Sequence, residues 1–298
     1  MLTTLNGVSP SCVSLPPGPW ATVLEFLVAR FPAIPADEWL QRLARGHVVD
    51  GGGQAVTAHD AYRAHTKLFY YRSLLAEPVV AAQEQVLYED ARIVVADKPH
   101  FLAVVPAGQY LQETLLVRLK RRLGLNDLAP MHRIDRETAG LVLFCKHVEH
   151  RKAYTSLFAQ RKVHKVYEAI AASPGPDTVL RFPMHLSSHL EPARHFMQMR
   201  QTDTGTPNAH TTIELLETAG NLARYRLKPT TGLRHQLRVH MVALGLPLVG
   251  DRIYPDLKPR LPEDTSNPLR LLAQGLAFTD PYSGEALAFQ STLSLSFI

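Results

Sequence analysis

TTIELLETAGNLARYRLKP (residues 211–229) decides the fold class. Its two halves, TTIELLE (211–217) and LARYRLKP (222–229), have strand length and strand composition, and the short TAGN link between them cannot hold a helical crossover. The pair must therefore run antiparallel. Outward from it, KVYEAIAA (165–172) reads as another strand and GLVLFCK (140–146) as a buried one. VLYEDARIVVADKP (86–99) reads as two strands with a tight turn at Glu89 to Ala91. Helical periodicity occurs in VEHRKAYTSLFAQ (148–160), with Tyr154, Leu157 and Phe158 on one side. It recurs in GLRHQLRVHMVALG (232–245), where Leu233, Leu237, Met241 and Leu244 form a stripe. Strands outnumber helices, no GxGxxG or P-loop follows a strand, and no repeat is visible. The expectation is an α+β or mixed-sheet α/β fold with at least part of its sheet antiparallel, distinct from a doubly wound nucleotide fold.

The N-terminal part is organised differently. Residues 1–19 are rich in Pro, Gly and Ser and read as an irregular lead-in. Helical patterns follow from Trp20 to the Phe31-Pro32 break and over PADEWLQRLARG (35–46). HVVDGGGQAV (47–56) then has the signature of a hairpin. Two helices and a hairpin predict a small domain over residues 1–80, a linker near 73–84, and a larger domain over 81–298.

Composition excludes several classes. With 46% apolar and 20% charged residues in 298, the chain is neither disordered nor collagen-like. Cys12 and Cys145 are too few for a disulfide framework, and no CxxC offers a zinc or redox site. The first basic residue is Arg30, and the early apolar run ATVLEFLVA (21–29) is short and broken by Glu25. Neither a secretion signal nor a membrane span is expected, and a cytoplasmic monomer is. The net charge is +5, yet residues 118–168 alone carry 12 basic and 5 acidic residues. Such a field attracts polyanions, although a solvated basic face has the same composition. Lys120, Arg121 and Arg122 are its densest cluster.

Chemistry concentrates in two segments. MHRIDRETAGLVLFCK (131–146) places Asp135 between Arg133 and Arg136 in a polar turn that feeds a buried strand, a rigid mount for a carboxylate. Alone, it would read as a surface salt-bridge set. TGLRHQLRVHMVALGLPLVGDRIY (231–254) adds Arg234 and Arg238 at helical i, i+4 spacing, which predicts them on one side of the helix. A cation paired with Asp135 would keep that carboxylate ionised and aimed.

HRIDRETAG (132–140) resembles the HRLDxxTSG motif of the RluA-type RNA pseudouridine synthases. The resemblance continues in order through DKP (97–99), KVYEAIA (165–171) and TGLRHQLRVH…GLPLVGDRIY, over roughly 160 residues. It implies the α+β pseudouridine synthase fold with a mixed, largely antiparallel sheet, and an isomerase that breaks the uridine glycosidic bond, turns the base and rejoins it through carbon five, with no metal or cofactor. Asp135 matches the family nucleophile, and attack on the anomeric carbon or on the uracil ring are both open. Tyr167 matches a tyrosine that stacks on the base and is implicated in removing the carbon-five proton; by pattern alone it is an ordinary strand aromatic. Arg238 matches the arginine that pairs with the nucleophile, and Arg133 one that enters the space a flipped nucleotide leaves. Arg136, Arg234 and His235 join the basic cluster as RNA-binding candidates. His132 and His235 read as positioning groups or as structural histidines. The N-terminal unit resembles in shape the small α-L RNA-binding domain, with a packing module the equal alternative.

The chain also departs from the family pattern. Leu233 stands where an arginine is usual, with Arg234 beside it, while Ile134 and Ala139 are mild replacements. His147 and His150, and His235 and His240, are spaced closely, yet without an HExxH or a cysteine cluster no metal site is expected. The substrate implied is rRNA or tRNA. The competing readings are a non-catalytic RNA-binding protein on the same fold and a metal-dependent RNA phosphodiesterase.

Overall fold

In the computed structural model, which describes residues 2, 4–74, 76–175, 178–259 and 265–297, the chain divides into two compact units. The first comprises residues 1–77 together with 106–112 and 117–126, and the second holds the remainder. The division is thus not a single cut near residue 80. Among the described residues no helix is long and apolar enough to cross a membrane.

The first unit contains β1 (Ser11–Ser14), α1 (Val23–Arg30), α2 (Ala36–Ala44), β2 (Val48–Val49) and β3 (Lys67–Tyr70). The segment expected to be irregular supplies β1, which pairs antiparallel with β3 in a three-stranded sheet of order β1-β3-β2. Its pattern is too short, with only Val13 buried, to stand out among prolines and serines. Thr22 caps α1 by accepting from the Glu25 N–H. The apolar faces of both helices meet the sheet around Phe26, Leu27, Trp39, Val48 and Leu68.

The second unit is built on an eleven-stranded sheet. In chain order its elements begin with β4 (Gln85–Glu89) and β5 (Ile93–Lys98). Helix α3 (Leu115–Leu123) follows, most of it in the first unit, and then β6 (Ala129–Pro130), β7 (Ala139–Cys145), α4 (Arg151–Ala159) and β8 (His164–Ala172). The chain continues with β9 (Met184–Pro192), β10 (Met199–Thr202), β11 (Ala209–Ala219), β12 (Leu222–Pro229), α5 (Gln236–Ala243), β13 (Leu271–Thr279) and β14 (Ala286–Gln290). The order is β10-β9-β11-β12-β8-β13-β7-β5-β4, with β14 on β13 and β6 on β7. Among the described pairings within this sheet only β13 with β7 is parallel. The expected mixed, largely antiparallel α+β architecture is what the chain adopts.

β7 is buried along its whole length and takes β5 on one side and β13 on the other. Its start explains a motif glycine. Gly140 has φ +109, and a Cβ there would lie 2.3 Å from the Ala273 carbonyl oxygen of β13, so any larger residue would push the strands apart. α5 packs Leu237 and Met241 against Ala169, Ala223, Tyr225 and Leu227 of β8 and β12. This fixes the strand carrying Tyr167 against the helix carrying Arg238.

Helix α5 is shorter than its periodicity predicts. It begins at Gln236 because His235 adopts a left-handed conformation, φ 56 and ψ 15. Leu233 and Arg234 therefore lie outside the helix, and Arg234 and Arg238 do not share a helical face. That expectation is corrected: the i, i+4 spacing spans a backbone reversal that apolar periodicity does not register.

Candidate active site

Asp135 sits in the loop immediately before β7, held at its base by the Thr138 N–H donating to the Asp135 carbonyl, 3.2 Å. Arg238 reaches it from α5, with Nη1 donating to Asp135 Oδ2 at 3.0 Å. The remaining edge of the guanidinium is fully engaged by Asp251, with Nε to Oδ2 at 2.8 Å and Nη2 to Oδ1 at 2.6 Å. Asp251 is itself fixed by the N–H groups of Ile253 and Tyr254, at 2.8 and 3.0 Å. Arg238 is 1% exposed. Burial would depress its pKa, but the hydrogen bonds and charges of Asp251, and then of Asp135, outweigh burial and raise it, so it remains a cation. One buried fork thereby bridges two carboxylates and directs the more accessible one, Asp135.

His235 faces the second oxygen, with Nε2 3.8 Å from Asp135 Oδ1. Its Nδ1 lies 2.9 Å from the Tyr254 hydroxyl, which accepts the Met199 N–H at 2.7 Å. Burial lowers the His235 pKa despite the opposing charge of Asp135. It is neutral at the cleft wall rather than a cation.

Asp135, Arg238 and His235 line one cleft of about 620 Å³ together with Tyr167, Arg133, Arg234, Lys165 and Arg161. Tyr167 projects from β8. Burial first, and the Asp135 charge second, raise its pKa, so the phenol stays protonated at neutral pH. Lys165, two residues earlier on the same face, donates from Nζ to the Thr231 carbonyl at 2.7 Å, and burial lowers its pKa to about 8. The loop 231–235 is pinned by Gln236, whose Oε1 accepts from Thr231 Oγ1 at 2.8 Å and from the Leu233 N–H at 3.2 Å.

Other candidates lie elsewhere. Arg136 does not line the cleft; it pairs with Glu137 at 3.0 Å and lies over the Phe101 ring. Lys120, Arg121 and Arg122 are on α3 and do not line it either. Lys120 is only 6% exposed and donates to Ser9 Oγ at 3.2 Å, a packing role that a charge count cannot distinguish from a solvated one. Arg121 and Arg122 are exposed. His132, by contrast, does line the cleft, where it is held structurally: its Nε2 accepts the Leu143 N–H at 3.1 Å, its ring stacks on Phe158, and burial drives its pKa down to about 3.

Sequence reasoning missed Asp251, Tyr254, Lys165 and Arg161. Asp251 lay within a quoted motif, and a buried arginine needs more than one acceptor, which was the available signal. Also missed was Lys98, fully buried, whose Nζ donates to the carbonyls of Pro99 and Arg136 at 2.9 and 3.1 Å and so ties β5 to the Asp135 loop. Burial lowers its pKa to about 7. Because the unfolded chain binds this proton up to the ordinary lysine pKa while the folded chain releases it near pH 7, Lys98 makes stability rise with pH across that window. Urea titrations at several pH values should show a steeper rise from pH 7 to about 10 in the parent than in Lys98→Met; parallel curves would contradict this.

A family model described as RNA pseudouridylate synthase matches residues 92–243. The dual-specificity RNA pseudouridine synthase RluA of Escherichia coli K12 is 32% identical over 212 residues, covering 69% of this chain and 91% of that protein. An uncharacterized RNA pseudouridine synthase of Synechocystis is 28% identical over 233 residues, 78% of this chain and 79% of the other. Among solved structures, human RNA pseudouridylate synthase domain containing 1 has the same fold with a TM-score of 0.57 at 23% identity, covering 72% of this chain and 86% of the other.

Proposed function

Since the chain belongs to the RNA pseudouridylate synthase family, we propose that it converts a specific uridine of structured rRNA or tRNA to pseudouridine with the Asp135 carboxylate as nucleophile. The observation that carries this reading is the cleft in which Arg238 donates to Asp135 at 3.0 Å beside Tyr167. Its volume falls within the range of small-ligand sites, about 300–1,000 Å³. A stacked uridine must leave its stack to enter. Arg133, exposed and lining the same cleft, is suited to occupy the space it vacates.

Asp135 attacks either the anomeric carbon, expelling uracil N1, or the uracil ring, and both routes start from the same carboxylate. The base then turns so that carbon five meets the anomeric carbon. A carbon–carbon bond replaces the carbon–nitrogen bond, the bond from Asp135 breaks and returns its electron pair to the carboxylate, the carbon-five proton leaves, and N1 gains one, so the reaction is balanced without an oxidant or reductant. Arg238 compensates the charge that shifts on and off Asp135. Tyr167 supplies a stacking face, and because its phenol is protonated it can assist the departing proton only as a relay. Arg133, Arg161, Lys165 and Arg234 give the cleft a cationic wall toward RNA phosphates. Arg121 and Arg122, exposed on α3, are further phosphate contacts in this reading. The enzyme works as a cytoplasmic monomer and without a metal.

The two jobs of Tyr167 separate by substitution. With substrate RNA tritiated at carbon five of uridine, Tyr167→Phe is expected to bind and engage the base, because stacking is worth about 1–3 kcal/mol per base, yet to release tritium slowly. Tyr167→Leu is expected to lose both. Full tritium release from Tyr167→Phe would leave stacking as its only job, and parental behaviour of Tyr167→Leu would remove it from the mechanism.

A further inference from the structure

We infer that the tip of the β9–β10 hairpin is an aromatic RNA-reading finger, with Phe196 stacking on an unpaired base next to the target uridine and Arg194 on its phosphate. This rests on the reading that the adjacent cleft acts on RNA. Phe196 is 77% exposed, an uncommon position for so large an apolar side chain, and His195 packs beside it with ring centroids 5.0 Å apart. Glu191 at the base of the hairpin is paired with Arg200 opposite it, and no acidic residue lies in the turn between them. Arg194 is exposed and makes no ion pair among the described residues. An exposed ring two residues from an exposed arginine that no described carboxylate engages suits a nucleobase better than an apolar protein surface.

The hairpin is also fastened to the catalytic residues. Arg234, on the cleft wall, donates through Nη2 to the carbonyls of Phe196 and Gln198 at 2.9 and 3.0 Å. The Met199 N–H donates to the Tyr254 hydroxyl, which contacts His235, and Gln198 Nε2 donates to the Ile253 carbonyl at 2.8 Å. Leu233 packs in the same cluster as Met199 and Tyr254. Here the departure from the family motif acquires a physical account. Leu233 gives up a cation to pack under the hairpin, and Arg234 holds the turn carbonyls so that Phe196 projects beside the cleft.

The test uses the full-length enzyme and two readouts. Bulk tRNA and rRNA from cells lacking the enzyme, labelled with tritium at carbon five of uridine, report turnover. Phe196→Ala is expected to raise KM about tenfold, equivalent to about 1.4 kcal/mol, with kcat nearly unchanged, and Phe196→Trp is expected to restore KM. In Phe196→Trp, the added indole fluorescence, taken as the difference from the parent, is expected to be quenched by a short oligouridylate. An unchanged KM in Phe196→Ala overturns the inference, as does an unquenched indole, which would point to a protein partner for the tip. If the parent itself released no tritium, the functional reading would fail, whereas the quenching would still report whether the finger stacks on RNA.

Discussion

Replacing Asp135 by Asn is expected to lower kcat by about four orders of magnitude or more, the scale reached when a covalent nucleophile is removed, while RNA affinity stays within a few-fold of the parent. The amide keeps the size of the carboxylate and can still accept from Arg238 Nη1, so loop and helix retain their packing. What disappears is the anionic oxygen proposed to attack. Loss of binding in parallel with turnover would indicate that Asp135 organises the loop rather than reacting. Activity close to that of the parent would remove it from the chemistry.

The second large effect concerns Asp251. Asp251→Ala leaves Nε and Nη2 of a nearly fully buried arginine without their acceptors. Removing one partner of a buried ion pair costs about 3–5 kcal/mol, and Asp135, bound only at Nη1, offsets part of it. Denaturant unfolding should register that loss, and turnover should fall with it because Asp135 is no longer aimed. The double variant Asp251→Ala/Arg238→Met removes the stranded charge and fills its volume with an apolar chain, so much of the stability is expected to return. Activity is not. Recovery of turnover in the double variant would show that the guanidinium is dispensable, and failure of stability to recover would show that the pair contributes more than charge compensation.

The antiparallel strands β11 and β12 were legible because each is a clear run with a link too short for a crossover, and buried β7 because it is apolar throughout. β9 was not, since His185, Ser187 and His189 occupy its more open face and dilute the apolar signal. β13 carries Gly275 at its centre, where the register with β8 also shifts, and such a residue reads as a break. The site was legible as far as Asp135, Tyr167 and Arg238 because each lies in a motif. Their closure through Asp251 and Tyr254 was not, because it needs the chain to return after α5 and place two further side chains on the arginine and histidine. A positive φ at His235 likewise leaves no trace in hydrophobic periodicity, yet it determines that Arg234 holds a hairpin while Arg238 turns inward. Burial of Lys120 shows the limit of reading charge along a chain: position in the fold decides whether a cation meets phosphate or a serine hydroxyl.

The central claim is that this chain makes pseudouridine in RNA through Asp135, and nucleotide-resolution mapping of pseudouridine in total cellular RNA tests it most directly. Cells lacking the protein, cells supplied with the parent, and cells supplied with Asp135→Asn at equal abundance are compared. At least one rRNA or tRNA position is expected to lose pseudouridine without the protein, regain it with the parent, and remain uridine with Asp135→Asn. Identical maps in all three, or restoration of the site by Asp135→Asn, would contradict the account.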